Sequence, residues 1–126
     1  MDTPNDRKYA ESHEWHLLDG DTLTLGITEF AVNELTDVTY VEMKEVGTAI
    51  AAGEEVGEVE SVKATSEIFS QLPGEIIAVN SDLSENPSLI NTDPYGAGWL
   101  VKLKVNDTAP LEGLMDAAAY DEKYPK

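Results

Sequence analysis

The chain has 126 residues, 25 Asp and Glu against 8 Lys and Arg, a net charge of −17 and no cysteine. That length suits one domain spanning residues 1–126, and 41% hydrophobic residues are enough for an ordinary apolar core. Disulfides, thiolate zinc sites, iron–sulfur clusters and a thiol nucleophile are excluded, as is a basic stripe able to outweigh the carboxylates and hold nucleic acid.

The N-terminal octet, Met1-Asp2-Thr3-Pro4-Asn5-Asp6-Arg7-Lys8, has neither an apolar secretory core nor an Arg-rich, acid-poor character. Apolar runs stop at four residues (49–52 and 76–79), against the roughly 20 needed to cross a bilayer. The expectation is a soluble, acidic, cytoplasmic protein without membrane attachment. Leu23, Leu25 and Ile27 alternate with Thr22 and Thr24, the two-residue period of a half-buried strand. Thr28 can cap a short helix running through Leu35. Residues 38–41 are β-branched and aromatic, as strands prefer. Gly47, Gly53, Gly57, Pro73 and Gly74 then divide the chain at the short spacing of an all-β sandwich or barrel. Strand-like segments at 56–60 and 68–72 flank a hairpin tip over 61–66. Asn80 or Ser81 opens a single helical turn that must end before Pro87. Trp99, Val101, Leu103 and Val105 alternate with Lys102 and Lys104 as a strand with one wet face. Leu111, Leu114, Met115 and Ala118 fall at i, i+3, i+4 and i+7, a helical stripe weakened by Gly113, and Asp116 can cap a further piece over 117–123. The tail is therefore helical over about 107–126, attached to a β-rich body.

One residue stands apart. Across 45–101 Lys63 is the single basic residue among ten Asp and Glu. On a hairpin tip its four-carbon stem reaches solvent with the amine open to acylation, and no competing amine lies near it in sequence. The plainer alternative is a solvated surface charge. A catalytic lysine is disfavoured, because Glu60 and Glu67 keep the amine protonated.

The segment Glu60-Ser61-Val62-Lys63-Ala64-Thr65-Ser66-Glu67 resembles the lipoyl-attachment segment of the glycine cleavage system H-protein family. So do Ser12-His13-Glu14-Trp15, Gly26-Ile27-Thr28-Glu29-Phe30-Ala31, Tyr40-Val41-Glu42, Val46-Gly47, Gly74-Glu75-Ile76, Asn80, Leu89-Ile90-Asn91, Asp93-Pro94-Tyr95-Gly96, Gly98-Trp99-Leu100 and Leu114-Met115-Asp116-Ala117 with Tyr120. The resemblance spans about residues 9–122 without a large insertion. Two positions depart from it: the family commonly has glycine where this chain has Thr36, and often proline where it has Gln71. Both bear on turn geometry around the lysine hairpin.

The resemblance implies a mainly β fold, the barrel-sandwich hybrid of lipoyl and biotinyl carriers: two small antiparallel sheets facing each other, short helices and a C-terminal helical tail. Biotin carriers usually flank their lysine with methionines, whereas Lys63 stands between Val62 and Ala64. Lipoyl domains of 2-oxoacid dehydrogenases usually lack the Pro-Tyr-Gly-x-Gly-Trp segment and the tail. Implied too is a non-catalytic carrier with lipoate in amide linkage to Lys63. It would take the aminomethyl group of glycine from the P protein (glycine dehydrogenase, decarboxylating) to the T protein (aminomethyltransferase), and be reoxidised by the L protein (dihydrolipoyl dehydrogenase). A lipoate-attaching enzyme would load it, and a carrier visiting several enzymes is best left monomeric. Relay of lipoate to other complexes, an unlipoylated acidic interaction module and an autonomous hydrolase are the alternatives, the last disfavoured because no Ser–His–acid set or metal cluster stands out.

Other constellations carry less. His13-Glu14 would point to opposite faces of an extended segment, a poor acid–base pair. Glu54, Glu55, Glu58 and Glu60 form either a solvated face or a docking surface acting on association rate. Neither a calcium loop nor a phosphate-binding glycine motif is present, and no metal site is expected. A loaded arm ends in a labile ammonium-bearing group, so Ser12, Glu14 and Glu67 are the candidates for a shelter against the protein's own surface.

Overall fold

The computed structural model describes residues 3–125, so residues 1, 2 and 126, part of the N-terminal octet and the last residue of the expected tail, lie outside it. Nine strands are found in it: β1 Lys8–Tyr9, β2 Glu14–Asp19, β3 Thr22–Ile27, β4 Val38–Met43, β5 Ala49–Ile50, β6 Glu54–Ser61, β7 Thr65–Ser70, β8 Gly74–Val79 and β9 Val101–Val105. They form two antiparallel sheets, one of six strands in the order β1-β2-β3-β9-β8-β5 and one of three in the order β4-β6-β7. The expected mainly β, two-sheet architecture is therefore found, with one sheet larger than anticipated.

Alternation does the building. On β3 and β9 the side chains of Leu23, Leu25, Ile27, Val101, Leu103 and Val105 turn inward and are buried, joined by Val59 and Ile68 from the smaller sheet. Burying a side chain of this kind stabilises by about 1.5–3 kcal/mol, so this interior is the main term holding the sheets together. The opposite face of β2 carries Trp15, which packs with Tyr9, Tyr120 and Ala117 into a second cluster under the C-terminal tail. Gly26 lies directly opposite Trp15, and a Cβ there would sit 2.4 Å from the indole. The ring needs that gap.

Among the helices, α1 (Glu29–Leu35) starts as the sequence predicts: Thr28 Oγ1 accepts from Ala31 N–H. The turn after Ser81 becomes α2 (Asp82–Glu85), and α3 (Leu89–Thr92) follows it. The tail differs from expectation. The stripe at 111–118 is not one helix: a 3₁₀ turn spans Ala109–Gly113, and Met115 is then pulled into a bridge with Tyr9, exchanging both backbone hydrogen bonds with it at 2.8 and 2.9 Å. These sheet bonds outcompete a helix already weakened by Gly113. Asp116 then caps α4 (Ala117–Lys123), as expected.

The sheets are also stitched by side chains. β7 is an edge strand, and its free backbone N–H groups face β2. Phe69 N–H donates to Glu14 Oε2 at 3.2 Å, and Gln71 N–H donates to His16 Nε2 at 3.2 Å. Two alternate residues of β2 thus satisfy an exposed sheet edge. A proline at position 71 would have no N–H to give His16.

Candidate functional site

The hairpin joining β6 to β7 turns through Val62, Lys63 and Ala64, a tighter tip than the 61–66 of the sequence reading. Ser61 organises it. Its hydroxyl accepts from Lys63 N–H at 3.1 Å and Ala64 N–H at 2.9 Å, while its backbone N–H reaches Ala64 O at 2.8 Å. A serine opening a turn in this way is a common local solution. Lys63 is exposed at the apex, and among the described residues its ammonium has no hydrogen-bond or ion-pair partner. Val62 beside it is 72% exposed.

Next to the lysine runs a cleft of about 440 Å³ between the hairpin and α1. Its apolar wall is Phe30, Ala31 and Leu35, and Ser12, His13 and Glu34 add polar groups. The pairs Phe30/Glu34 and Ala31/Leu35 are four apart on α1, so one helix face supplies them all. A smaller open hollow of about 310 Å³ also touches Lys63, Phe30 and Glu34 and is bordered by Pro125.

The sequence-derived candidates separate here. Ser12 lines the cleft. Glu14 lies behind it, fully buried, accepting from Ser12 Oγ at 2.5 Å as well as from Phe69 N–H. Burial pushes the Glu14 carboxyl above its ordinary range, and the bonds from Ser12 and Phe69 pull it partly back. Glu67 is exposed on β7, opposite Glu58, on the face away from Ser66, and does not line the cleft. The carboxylate that does is Glu34, which the sequence reading passed over. Its spacing from the Thr28 cap was the available signal.

His13 is not the extended residue expected. Its φ of 75° lies in the left-handed region, and its ring packs tilted against Phe30 with centroids 4.6 Å apart. The acidic group sorts as well. Glu54 is tied to Lys44 at 3.1 Å and to Ala51 N–H, whereas Glu42, Glu58 and Glu67 lie in register across the smaller sheet. Like charges opposite one another cost stability, so this row does not stabilise the smaller sheet. Among the described residues no His, Asp and Glu cluster could hold a metal, and no helix is long and apolar enough to cross a membrane.

Comparison with known proteins decides the family. The glycine cleavage H-protein family model matches residues 7–126. The chain belongs to the glycine cleavage H-protein family. It is 50% identical over 120 residues to the glycine cleavage system H protein of Marinobacter nauticus, covering 94% of this chain and 92% of that one. The H protein of Thermus thermophilus is 49% identical over 122 residues, covering 97% and 95%. The crystal structure of a glycine cleavage system H protein from Mycobacterium marinum superposes with a TM-score of 0.84 at 38% identity, covering 96% of this chain and 98% of that one. An H-protein fold therefore accounts for both sheets and the tail.

Proposed function

We propose that Lys63 carries lipoate in amide linkage and that the whole chain, 1–126, works as one carrier domain. As a member of its family the chain is the lipoyl-carrying shuttle component of the glycine cleavage system. The observation that carries the residue assignment is a partner-free lysine at a turn apex, opening onto a cleft with one apolar wall. A long methylene chain ending in a polar group fits those walls. Held on Lys63, the group would supply a redox-active sulfur pair able to carry an aminomethyl group between the P and T proteins, with the L protein as its oxidant.

This chain's own residues present and protect. Phe30, Ala31 and Leu35 offer apolar surface to the arm, and Glu34 sets negative charge at the cleft. Glu14 is a carboxylate already paying desolvation, so a cation arriving beside Ser12 would restore the charge balance that burial has disturbed. Ser12 and Glu14 therefore serve as the shelter, Glu34 taking the part first given to Glu67. The row Glu42, Glu58 and Glu67 faces partners, including the lipoate-attaching enzyme, through their basic surfaces. The protein acts as a cytoplasmic monomer and catalyses nothing itself.

Intact mass after exposure to lipoate and the attaching enzyme tests the central point. A lipoyl increment in the wild type that is lost in Lys63→Ala is expected. An increment retained in Lys63→Ala overturns the assignment.

A further inference from the structure

His13 borders the lysine cleft, and its surroundings fix where its proton lies. Three hydroxyl or ring groups form a chain: Thr28 Oγ1 to Tyr120 Oη at 2.8 Å, and Tyr120 Oη to His13 Nδ1 at 2.6 Å. Thr28 is fully buried and already accepts from Ala31 N–H. Its own proton has one acceptor in reach, the Tyr120 oxygen. Tyr120 must then donate to His13 Nδ1, leaving the imidazole proton on Nε2. The reverse order would strand a buried hydroxyl proton. Among the described residues that Nε2–H has no partner.

The ring cannot swing away from this arrangement. Phe30 and Tyr124 hold it at centroid distances of 4.6 and 4.7 Å. α4 carries Tyr120, with Tyr124 at its C-cap, and an exposed ion pair, Lys123 Nζ to Glu11 Oε1 at 2.6 Å, links it to the segment before His13. The residue also keeps a left-handed φ of 75°, uncommon outside glycine. Burial holds its pKa below the usual histidine range, against the pull of Glu34, so the ring bordering the cleft is neutral at neutral pH.

We propose that His13 Nε2–H docks the root of the arm, donating to the amide carbonyl that acylation creates on Lys63, and that Tyr120 is the positioning residue setting this tautomer from behind. The inference rests on the lipoyl-lysine reading above. The amide carbonyl is the one strong acceptor on an arm otherwise made of methylenes and sulfurs, which are weak acceptors. His13 and Lys63 line the same cleft. The tail helix thereby controls arm docking without touching the arm.

The test uses full-length protein labelled with ¹⁵N-histidine, with and without lipoylation verified by intact mass. Only two histidines are present, so His16 is an internal control. The Nε2–H form of His13 is expected in both states, its Nε2–H resonance moving downfield on lipoylation while His16 stays fixed. His13→Phe keeps the ring but loses the donor, and should raise the undocked fraction of the arm about fivefold, the worth of one net hydrogen bond. Tyr120→Phe should mix the tautomers and weaken docking in the same sense without changing the fold. A proton on Nδ1, or a His13 spectrum unchanged in verified lipoyl protein, overturns the inference alone. Failure to lipoylate Lys63 overturns the reading beneath it as well. Should His13→Phe fail to fold, the wild-type spectra decide.

Discussion

The two sides of the lysine cleft are held in opposite ways. On the hairpin side, Val62, Lys63 and Ala64 are exposed and depend on one serine and a single bond from Val62 N–H to Asp37 O at 3.2 Å. On the other, the Ser12–His13–Glu14 segment has a strained backbone, a buried carboxylate, a ring fixed by Tyr120 and a helix tied across it. On the carrier reading proposed above, the lysine that would visit several enzymes sits on the side with fewer bonds. The surface proposed as its shelter is over-determined, as a shelter that keeps its shape between visits would require.

The sharpest break in that comparison is Lys63→Arg. It keeps the charge and the turn but cannot form the lipoyl amide, so loading should fall to nothing while the thermal midpoint stays put. Detectable acceptance of the aminomethyl group by this variant would show that the mobile side does not depend on this amine.

Next in size is a pH effect on the fixed side. Burial of His16 drops its pKa from 6.5 to about 4. Between those values the unfolded chain binds the proton and the folded one refuses it. The contribution of the neutral ring is complete above pH 6.5 and is lost as pH falls through 4, amounting to about 3 kcal/mol. Glu14 works against it: its raised carboxyl favours the folded state on the acid side of the same range. Replacing His16 by Leu should leave Gln71 N–H without a partner yet flatten the pH slope of stability between 4 and 6.5. An unchanged slope would mean that His16 is not the group sensing acid. Denaturant unfolding at stepped pH measures it.

Glu14 separates shelter from support. Seen as a surface residue, it would be removable at little cost. Buried, it is the acceptor for Phe69 N–H, and Glu14→Ala should cost about 1–3 kcal/mol. Glu14→Gln retains an acceptor but no charge. It should stay near wild-type stability and still release ammonia faster from loaded protein. Equal release rates for Gln and wild type would leave Glu14 with only its edge-capping role.

Why the sequence spoke clearly of some of this and not the rest follows from the same residues. Alternation on β3 and β9 marks a wet and a dry face, and the Thr28 and Asp116 caps need only local bonds, so those elements were legible. Lys63 stood out because nothing basic lies near it. Alternation does not tell which face of β2 meets another sheet edge, so Glu14 reads only as a surface shelter candidate and His16 not at all, when both reach the backbone of β7 and the residue just after it. Glu67 shares that ambiguity with the opposite outcome. The stripe at 111–118 failed because Tyr9, more than 100 residues away, captures Met115.

The smallest effect concerns Thr36, just upstream of the Asp37 carbonyl that meets the hairpin. Its φ of 65° and ψ of −135° belong to a region that glycine enters freely and a β-branched residue does not. Three bonds hold it there: its N–H to Val32 O at 2.9 Å, its hydroxyl to Leu35 O at 2.5 Å, and Asn91 Nδ2 to its carbonyl at 2.7 Å. Strain of this kind costs about 1–3 kcal/mol, and glycine gives back about 0.5–1 kcal/mol through unfolded-state freedom. Thr36→Gly should therefore stabilise the protein by about 1 kcal/mol, read as a raised denaturation midpoint, while Lys63 loads at an unchanged rate. A lower midpoint would mean the hydroxyl bond to Leu35 outweighs the strain. Slower loading with a higher midpoint would place the tension at Thr36 among the things that set the hairpin's tilt, and join the two sides of the cleft mechanically.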